Sequence, residues 1–194
     1  PSYKNGEFSM LVTPRATNED FYSAQKFTRS IMASNNIDVP CNSYPEQSLA
    51  LKEIFGTIGS TGTVKDLENA GCALVVNSNI TEENNVAAIP LKKGHKAGTL
   101  KLIVIDTREV ELTRYADVWL RPFPGTESSL MAGILSAVVN NSLHDEEFLR
   151  KNCEGWGDFQ RQISNVTLED IENITGVAKE KILAVANIFA AENS

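Results

Sequence analysis

The sequence predicts an α/β fold, an open and mainly parallel Rossmann-like sheet flanked by helices, with a helical C-terminal part. Three observations predict it. Leu102-Ile103-Val104-Ile105 is an apolar run without polar alternation, as expected of a parallel strand covered on both faces. Cys72-Ala73-Leu74-Val75-Val76 and the shorter Val118-Trp119-Leu120 have the same character. Helical patterns separate the three, and the order β-α-β-α-β with right-handed crossovers gathers the loops on one edge of a parallel sheet.

The elements follow in order. Thr17-Asn18-Glu19-Asp20 supplies cap residues and first-turn acids, and Phe21, Tyr22, Phe27, Ile31 and Met32 then recur at helical spacing until Asn35-Asn36. Asp38 to Pro45 reads as a loop, with Pro40 and Pro45 bracketing Cys41. Ser48–Phe55 is a short helix, and Val64–Asn69 a smaller one after the Gly-rich segment 56–62. The strand at Cys72 ends at Asn77-Ser78-Asn79. Thr81-Glu82-Glu83 then opens a helical segment that Pro90 and Gly94 should interrupt. The strand at Leu102 ends at Asp106-Thr107-Arg108, and a short helix over Val110–Tyr115 leads to the strand at Val118. Pro122, Pro124 and Gly125-Thr126-Glu127 end that strand and begin an apolar helix through Val139. Another helix begins at Asp145–Lys151. From Gly155 the helices become polar and amphipathic, with Thr167-x-x-Asp170 as a cap and Gly176 before a last helix, Ala178–Ala191. Residues 1–154 are thus expected to form an α/β domain, and residues 155–194 its helical extension.

Bulk properties narrow the function classes. A chain of 194 residues supports one good core, or one core plus a smaller lobe. Its net charge is -7, and without a Lys/Arg cluster neither nucleic acid nor an anionic membrane is the expected partner. Cys41, Cys72 and Cys153 are widely spaced, which argues against a disulfide framework, a zinc site or an iron–sulfur site in this segment and suits a reducing, cytoplasmic setting. No apolar stretch reaches the roughly 20 residues of a membrane span. A first residue of Pro1 suggests a piece of a larger protein.

Three polar turns at strand ends carry the functional candidates. Asn77, Ser78 and Asn79, followed by Thr81-Glu82, combine amides and hydroxyls with a helix N-terminus that favours anions. The bland alternative is an ordinary cap and turn. Asp106 stands where a carboxylate commonly accepts hydrogen bonds from a ribose or base, and beside Thr107, Arg108 suits a bidentate phosphate contact. An exposed Asp–Arg pair of little consequence is the other possibility. At Gly125, Thr126 and Glu127, ligand binding competes with simple helix capping. Three such turns along one edge favour a nucleotide-like ligand. His95, in a basic helix end, and His144, beside Asp145, have no nucleophile near them in sequence, so no acid–base pair is assigned.

Asn18-Glu19, Gln25-Lys26-Phe27, Asn35-Asn36-Ile37-Asp38, Asn77-Ser78-Asn79-x-Thr81-Glu82, Val104-Ile105-Asp106-x-Arg108, Glu111-Leu112, Tyr115-Ala116-Asp117 and Pro124-Gly125-Thr126 occur in the order of a known family. With Asp145-Glu146-Glu147-Phe148 and Ile174-Thr175-Gly176-Val177, they make nearly the entire chain resemble the large catalytic subunit of the molybdopterin oxidoreductases, the formate dehydrogenase alpha subunits in particular.

That resemblance implies an interior α/β region binding a molybdopterin guanine dinucleotide (MGD) of a molybdenum or tungsten cofactor. The turns Asn77-Ser78-Asn79, Asp106-Thr107-Arg108 and Gly125-Thr126-Glu127 would lie at the dinucleotide. It implies iron–sulfur clusters outside this segment, other domains of the same subunit and electron-transfer subunits as partners, and an oxidoreductase as the full-length parent with this piece inactive alone. Asn77 replaces a family Gly, Thr107 a Pro, and Glu127 the Asp that pairs with guanine. Formate dehydrogenases carry an Arg and a metal-bound Cys or selenocysteine followed by His in the loop that here reads Val39-Pro40-Cys41-Asn42-Ser43-Tyr44-Pro45. Neither the Arg nor the Cys-His pair is present, so no catalytic residue or metal ligand is assigned. This loop also leaves open a pterin-less structural or electron-relay homologue, as in the large iron–sulfur subunit of NADH dehydrogenase. A stand-alone nucleotide-binding module is the third class.

Overall fold

A computed structural model describes residues 7–13, 16–39 and 45–191, with side chains over the same ranges except 45–47. The chain divides into two compact units, Pro1–Thr61 and Gly62–Ser194.

The first unit holds two short strands, β1 (Met10–Leu11) and β2 (Ile37–Asp38), paired in parallel. The helix α1 (Asn18–Lys26) starts at the predicted cap: Thr17 accepts from the Asp20 N–H, and Asp20 accepts from the Thr17 N–H. It passes into a π-helical turn, Phe27–Ile31, and stops ahead of Asn35, with Ala33 at φ 49. In that turn only Thr28 is buried. The helix α2 (Pro45–Phe55) begins earlier than Ser48. Pro40 to Tyr44, and with them Cys41, lie outside the described residues.

The second unit is a three-stranded parallel sheet, β3 (Cys72–Val76), β4 (Lys101–Ile105) and β5 (Val118–Leu120), in that spatial order. The central strand explains the unbroken apolar run, because each of its faces is covered. Ile103 and Ile105 enter a core with Leu120, Leu130, Ile134, Ile171, Ile182 and Val185. Leu102 and Val104 enter another with Val75, Leu91, Leu100, Val110 and Leu112. All four are at most 1% exposed.

The crossover from β3 to β4 departs from expectation. A single turn, α3 (Ile80–Glu83), precedes α4 (Asn85–Ala97), which runs through both Pro90 and Gly94 without a break. A proline inside a helix costs roughly 3 kcal/mol. Here Pro90 lies on the buried face with Ala87, Ala88 and Leu91, and that burial outweighs the one lost hydrogen bond. Gly94 has a packing reason instead: a Cβ there would stand 2.9 Å from the Leu100 Cβ. The helix therefore closes tightly onto the start of β4, and Gly98 ends it at φ 74.

A 3-10 turn at Glu111–Arg114 leads to β5, and α5 (Glu127–Asn140) packs against the sheet. The helices α6 (Glu146–Asn152), α7 (Trp156–Ile163), α8 (Leu168–Thr175) and α9 (Lys179–Ala191) follow. Asp145 and Thr167 cap α6 and α8 by accepting from backbone N–H groups. Gly133 lets α5 and α8 meet, since a Cβ there would be 2.8 Å from the Ile171 Cγ2. No helix among the described residues is long and apolar enough to cross a membrane.

Candidate functional site

Strand register decides what this sheet offers a ligand. Val76, Ile105 and Leu120 are partners across the three strands, so Asn77, Asp106 and Arg121 are the next residues at one edge. The crevice outside the carboxyl ends of parallel strands is where open α/β sheets bind ligands.

The first turn is the most self-contained. The Asn77 N–H donates to the Ile105 carbonyl at 2.8 Å, extending the ladder by one bond, and Asn77 then adopts φ 47. Asparagine enters this left-handed region at less cost than most other side chains. The Ser78 hydroxyl donates to Glu83 at 2.9 Å, and the Asn79 Oδ1 accepts from Thr81 at 3.0 Å. The helix expected at Thr81-Glu82 is only the single turn α3. The longer α4 starts later, its first turn capped by Asn84.

The second turn holds a buried carboxylate. Asp106 is 2% exposed, and its Oδ1 accepts from the Arg108 N–H at 2.8 Å. Its Oδ2 accepts no hydrogen bond among the described residues. The Arg108 Nε lies 3.9 Å from Oδ1 while its side chain is 73% exposed, so the guanidinium is placed near the carboxylate without being consumed by it. Two donors, one on β5 and one on the residue after it, hold the backbone beneath. The Trp119 indole N–H donates to the Asp106 carbonyl and the Arg121 Nε–H to the Thr107 carbonyl, both at 3.0 Å.

The third turn is fixed from the helical layer. The Phe123 N–H donates to the Thr175 carbonyl at 2.9 Å, and its ring lies so close to Gly176 that a Cβ there would be 2.7 Å away. Gly125 takes φ 83, with nothing within 4 Å of where a Cβ would sit, so it serves conformation rather than close approach. Thr126 precedes α5 but does not cap it, because its hydroxyl donates back to the Phe123 carbonyl at 2.7 Å. The first N–H groups of α5 therefore lack a side-chain acceptor from Thr126. Glu127 is half-buried and has no hydrogen bond or ion pair among the described residues.

Asn77 and the Asp106-Thr107-Arg108 turn thus leave adjacent strand ends, and Gly125, Thr126 and Glu127 follow the third. Arg121 and Trp119 escaped the sequence reading. An arginine after a short strand resembles any solvated charge, and the one available signal was their spacing of two, which puts both side chains on the same side of an extended chain.

Both histidines lie elsewhere. His95 is not simply solvated: its Nδ1 is 3.4 Å from the Asp117 Oδ2 at the opposite end of the sheet. His144 lies 3.0 Å from Glu146 and packs against the Trp156 ring. Cys72 is buried in the core and Cys153 is exposed, and neither is in a disulfide. No group of three His, Cys, Asp or Glu side chains suited to a metal occurs among the described residues.

Comparison with known proteins adds the family. Residues 2–190 match the model of the family described as molybdopterin oxidoreductase. The F420-dependent formate dehydrogenase 1 subunit alpha of Methanococcus maripaludis is 30% identical over 195 residues, covering 100% of this chain and 29% of that protein. The corresponding alpha subunit of Methanocaldococcus jannaschii is 31% identical over 189 residues, covering 97% of this chain and 28% of its own length. Among solved structures, acetylene hydratase from Pelobacter acetylenicus matches with a TM-score of 0.69 at 26% identity, over 89% of this chain and 23% of that one. The chain spans less than a third of each of these relatives.

Proposed function

The chain belongs to the molybdopterin oxidoreductase family, and from that premise we propose that its strand-end edge binds the guanine dinucleotide of a molybdopterin cofactor in a larger, formate-dehydrogenase-like parent. The observation that carries the proposal is Asp106, a buried carboxylate with one oxygen unclaimed, in line with Asn77 and Arg121 at three aligned strand ends.

The residues present fit the group. Asp106 and Glu127 supply acceptors for the N–H edge of a base or the hydroxyls of a ribose. Arg108 offers a nearly free guanidinium for phosphate. The α5 N–H groups left uncapped by Thr126 favour negative charge, and the longer Glu127 replaces the family Asp. Ser78, Asn79, Thr107 and Gly125 complete the edge. When bound, such a cofactor supplies two-electron chemistry at molybdenum or tungsten. This chain's contribution is to bind and orient the nucleotide end, and no side chain among the described residues is assigned a proton or a metal. Residues 1–154 would carry that binding, with 155–194 as its helical support, in a cytoplasmic parent whose other domains, iron–sulfur clusters and electron-transfer subunits complete the enzyme.

The loop Val39–Pro45 favours a second possibility, a pterin-less relative acting as scaffold or electron relay, because it lacks the Arg and Cys-His pair of formate dehydrogenases. One preparation separates the two. The full-length parent should contain molybdenum or tungsten and release a fluorescent pterin on oxidation. A well-folded parent containing neither would sink the cofactor proposal and leave the scaffold.

A further inference from the structure

Two consecutive carbonyls beneath the Asp106 turn are each held by a side-chain donor, one from the neighbouring strand and one from the residue that follows it. Trp119 and Arg121 are two residues apart, and their N–H groups reach the Asp106 and Thr107 carbonyls at 3.0 Å each. They also hold each other, with the Arg121 guanidinium carbon 5.7 Å from the centroid of the Trp119 ring. Backbone carbonyls just past a strand end have lost their ladder partners, and an exposed turn would ordinarily give them to water. Here they are bound to the protein. The same turn presents the Asp106 carboxylate, whose Oδ1 is tied to the Arg108 N–H at 2.8 Å and whose Oδ2 is not tied at all.

We propose that Arg121 is a positioning residue for the nucleotide edge: with Trp119 it clamps the Asp106 and Thr107 carbonyls and so holds the Asp106 carboxylate and the Arg108 N–H in the pose that receives the ligand. The proposal rests on the nucleotide-binding function given above for its consequence, but not for its geometry. The clamp depends on shape more than on charge. A lysine would keep the positive charge yet lack both the Nε–H at that reach and the flat guanidinium that lies over the indole. A merely electrostatic arginine would be replaceable by lysine, and a positioning arginine is not.

The test uses the 194-residue chain labelled with 15N, guanosine 5′-monophosphate as probe, and the variants Arg121→Lys, Arg121→Ala and Trp119→Phe. Arg121→Lys and Arg121→Ala should both weaken binding at least fivefold. In both, the Arg108 amide resonance should move and amide exchange at 107–108 should speed up before any ligand is added. Thermal midpoints should stay near that of the parent sequence, since Arg121 is exposed. Should the Arg121 variants fail to fold, Trp119→Phe, which keeps the ring and removes the donor, should give the same Arg108 signature. Wild-type affinity in Arg121→Lys, with an unmoved Arg108 amide, would overturn the clamp while leaving nucleotide binding intact. If the unaltered chain shows no response to the nucleotide at this edge, the binding function fails instead. The clamp is then decided by the ligand-free spectra alone, where an unchanged Arg108 amide in all three variants overturns it.

Discussion

The two ends of the three-stranded sheet are built on opposite principles. At the amino end of β4 and β5, both oxygens of the Asp117 carboxylate are engaged. The Asp117 Oδ2 accepts the Leu102 N–H at 2.9 Å and lies 3.4 Å from His95, while its Oδ1 accepts from Lys101 at 3.0 Å. At the carboxyl end, Asp106 keeps one oxygen unclaimed, Arg108 is 73% exposed, and Glu127 has no partner among the described residues. Both ends present an aspartate beside basic side chains. Only the amino end uses its aspartate to close the structure. The carboxyl end, where Asp106 Oδ2 and Glu127 stay spare, is the end proposed to bind the nucleotide.

The largest expected effect breaks the closed end. Asp117→Ala leaves the Leu102 N–H without its acceptor and Lys101 without its carboxylate, and should cost about 2–3 kcal/mol in denaturant unfolding. The nucleotide footprint should not move. Gly176→Ala strains a residue at φ 71 and drives a Cβ toward the Phe123 ring. It should cost about 2 kcal/mol and, unlike Asp117→Ala, loosen the Thr126–Glu127 turn, which amide exchange would detect. Asp106→Asn keeps the acceptor for Arg108 but loses the charge. It should leave the unfolding midpoint almost unchanged and weaken guanosine monophosphate binding about tenfold, or about 1.4 kcal/mol. A large stability loss with unchanged affinity would reverse the roles assigned to the two aspartates.

The comparison can be sharpened by pH. Partial burial pushes the Asp117 carboxyl up, but the Leu102 N–H, Lys101 and His95 together outweigh it and hold it below the ordinary 3.8. A folded-state value below the unfolded one adds stability that is fully present above pH 3.8 and is lost as pH falls through the lowered value. The stability gap between the parent sequence and Asp117→Asn should therefore shrink as pH falls below about 5. The smallest effect is expected at Asn77→Gly. At φ 47 glycine is fully tolerated, and stability should change by less than about 0.5 kcal/mol.

Much of this architecture is legible in the linear sequence, because burial on both faces leaves unbroken apolar runs and each run stops at a polar residue. Asn77 and Asp106 are found that way. What is not legible depends on residues meeting across strands. Trp119 and Arg121 acquire their role only when register brings β5 beside the end of β4. The direction of the Thr126 hydroxyl, which decides between capping and an open helix start, is likewise set by the Phe123 carbonyl and not by residue type. Pro90 misleads for a related reason: local propensity argues for a break, and burial of that helix face overrides it. The two-residue strands β1 and β2 are too short to leave any periodicity.

The most direct measurement is the footprint of guanosine monophosphate on the amide spectrum of this chain. Shifts should concentrate at residues 77–79, 106–108 and 125–127 and leave Lys101, Leu102 and Asp117 in place. A footprint centred on the Lys101–Asp117 end, or one spread without regard to the strand ends, would contradict the division of the sheet into a closed end and a binding end.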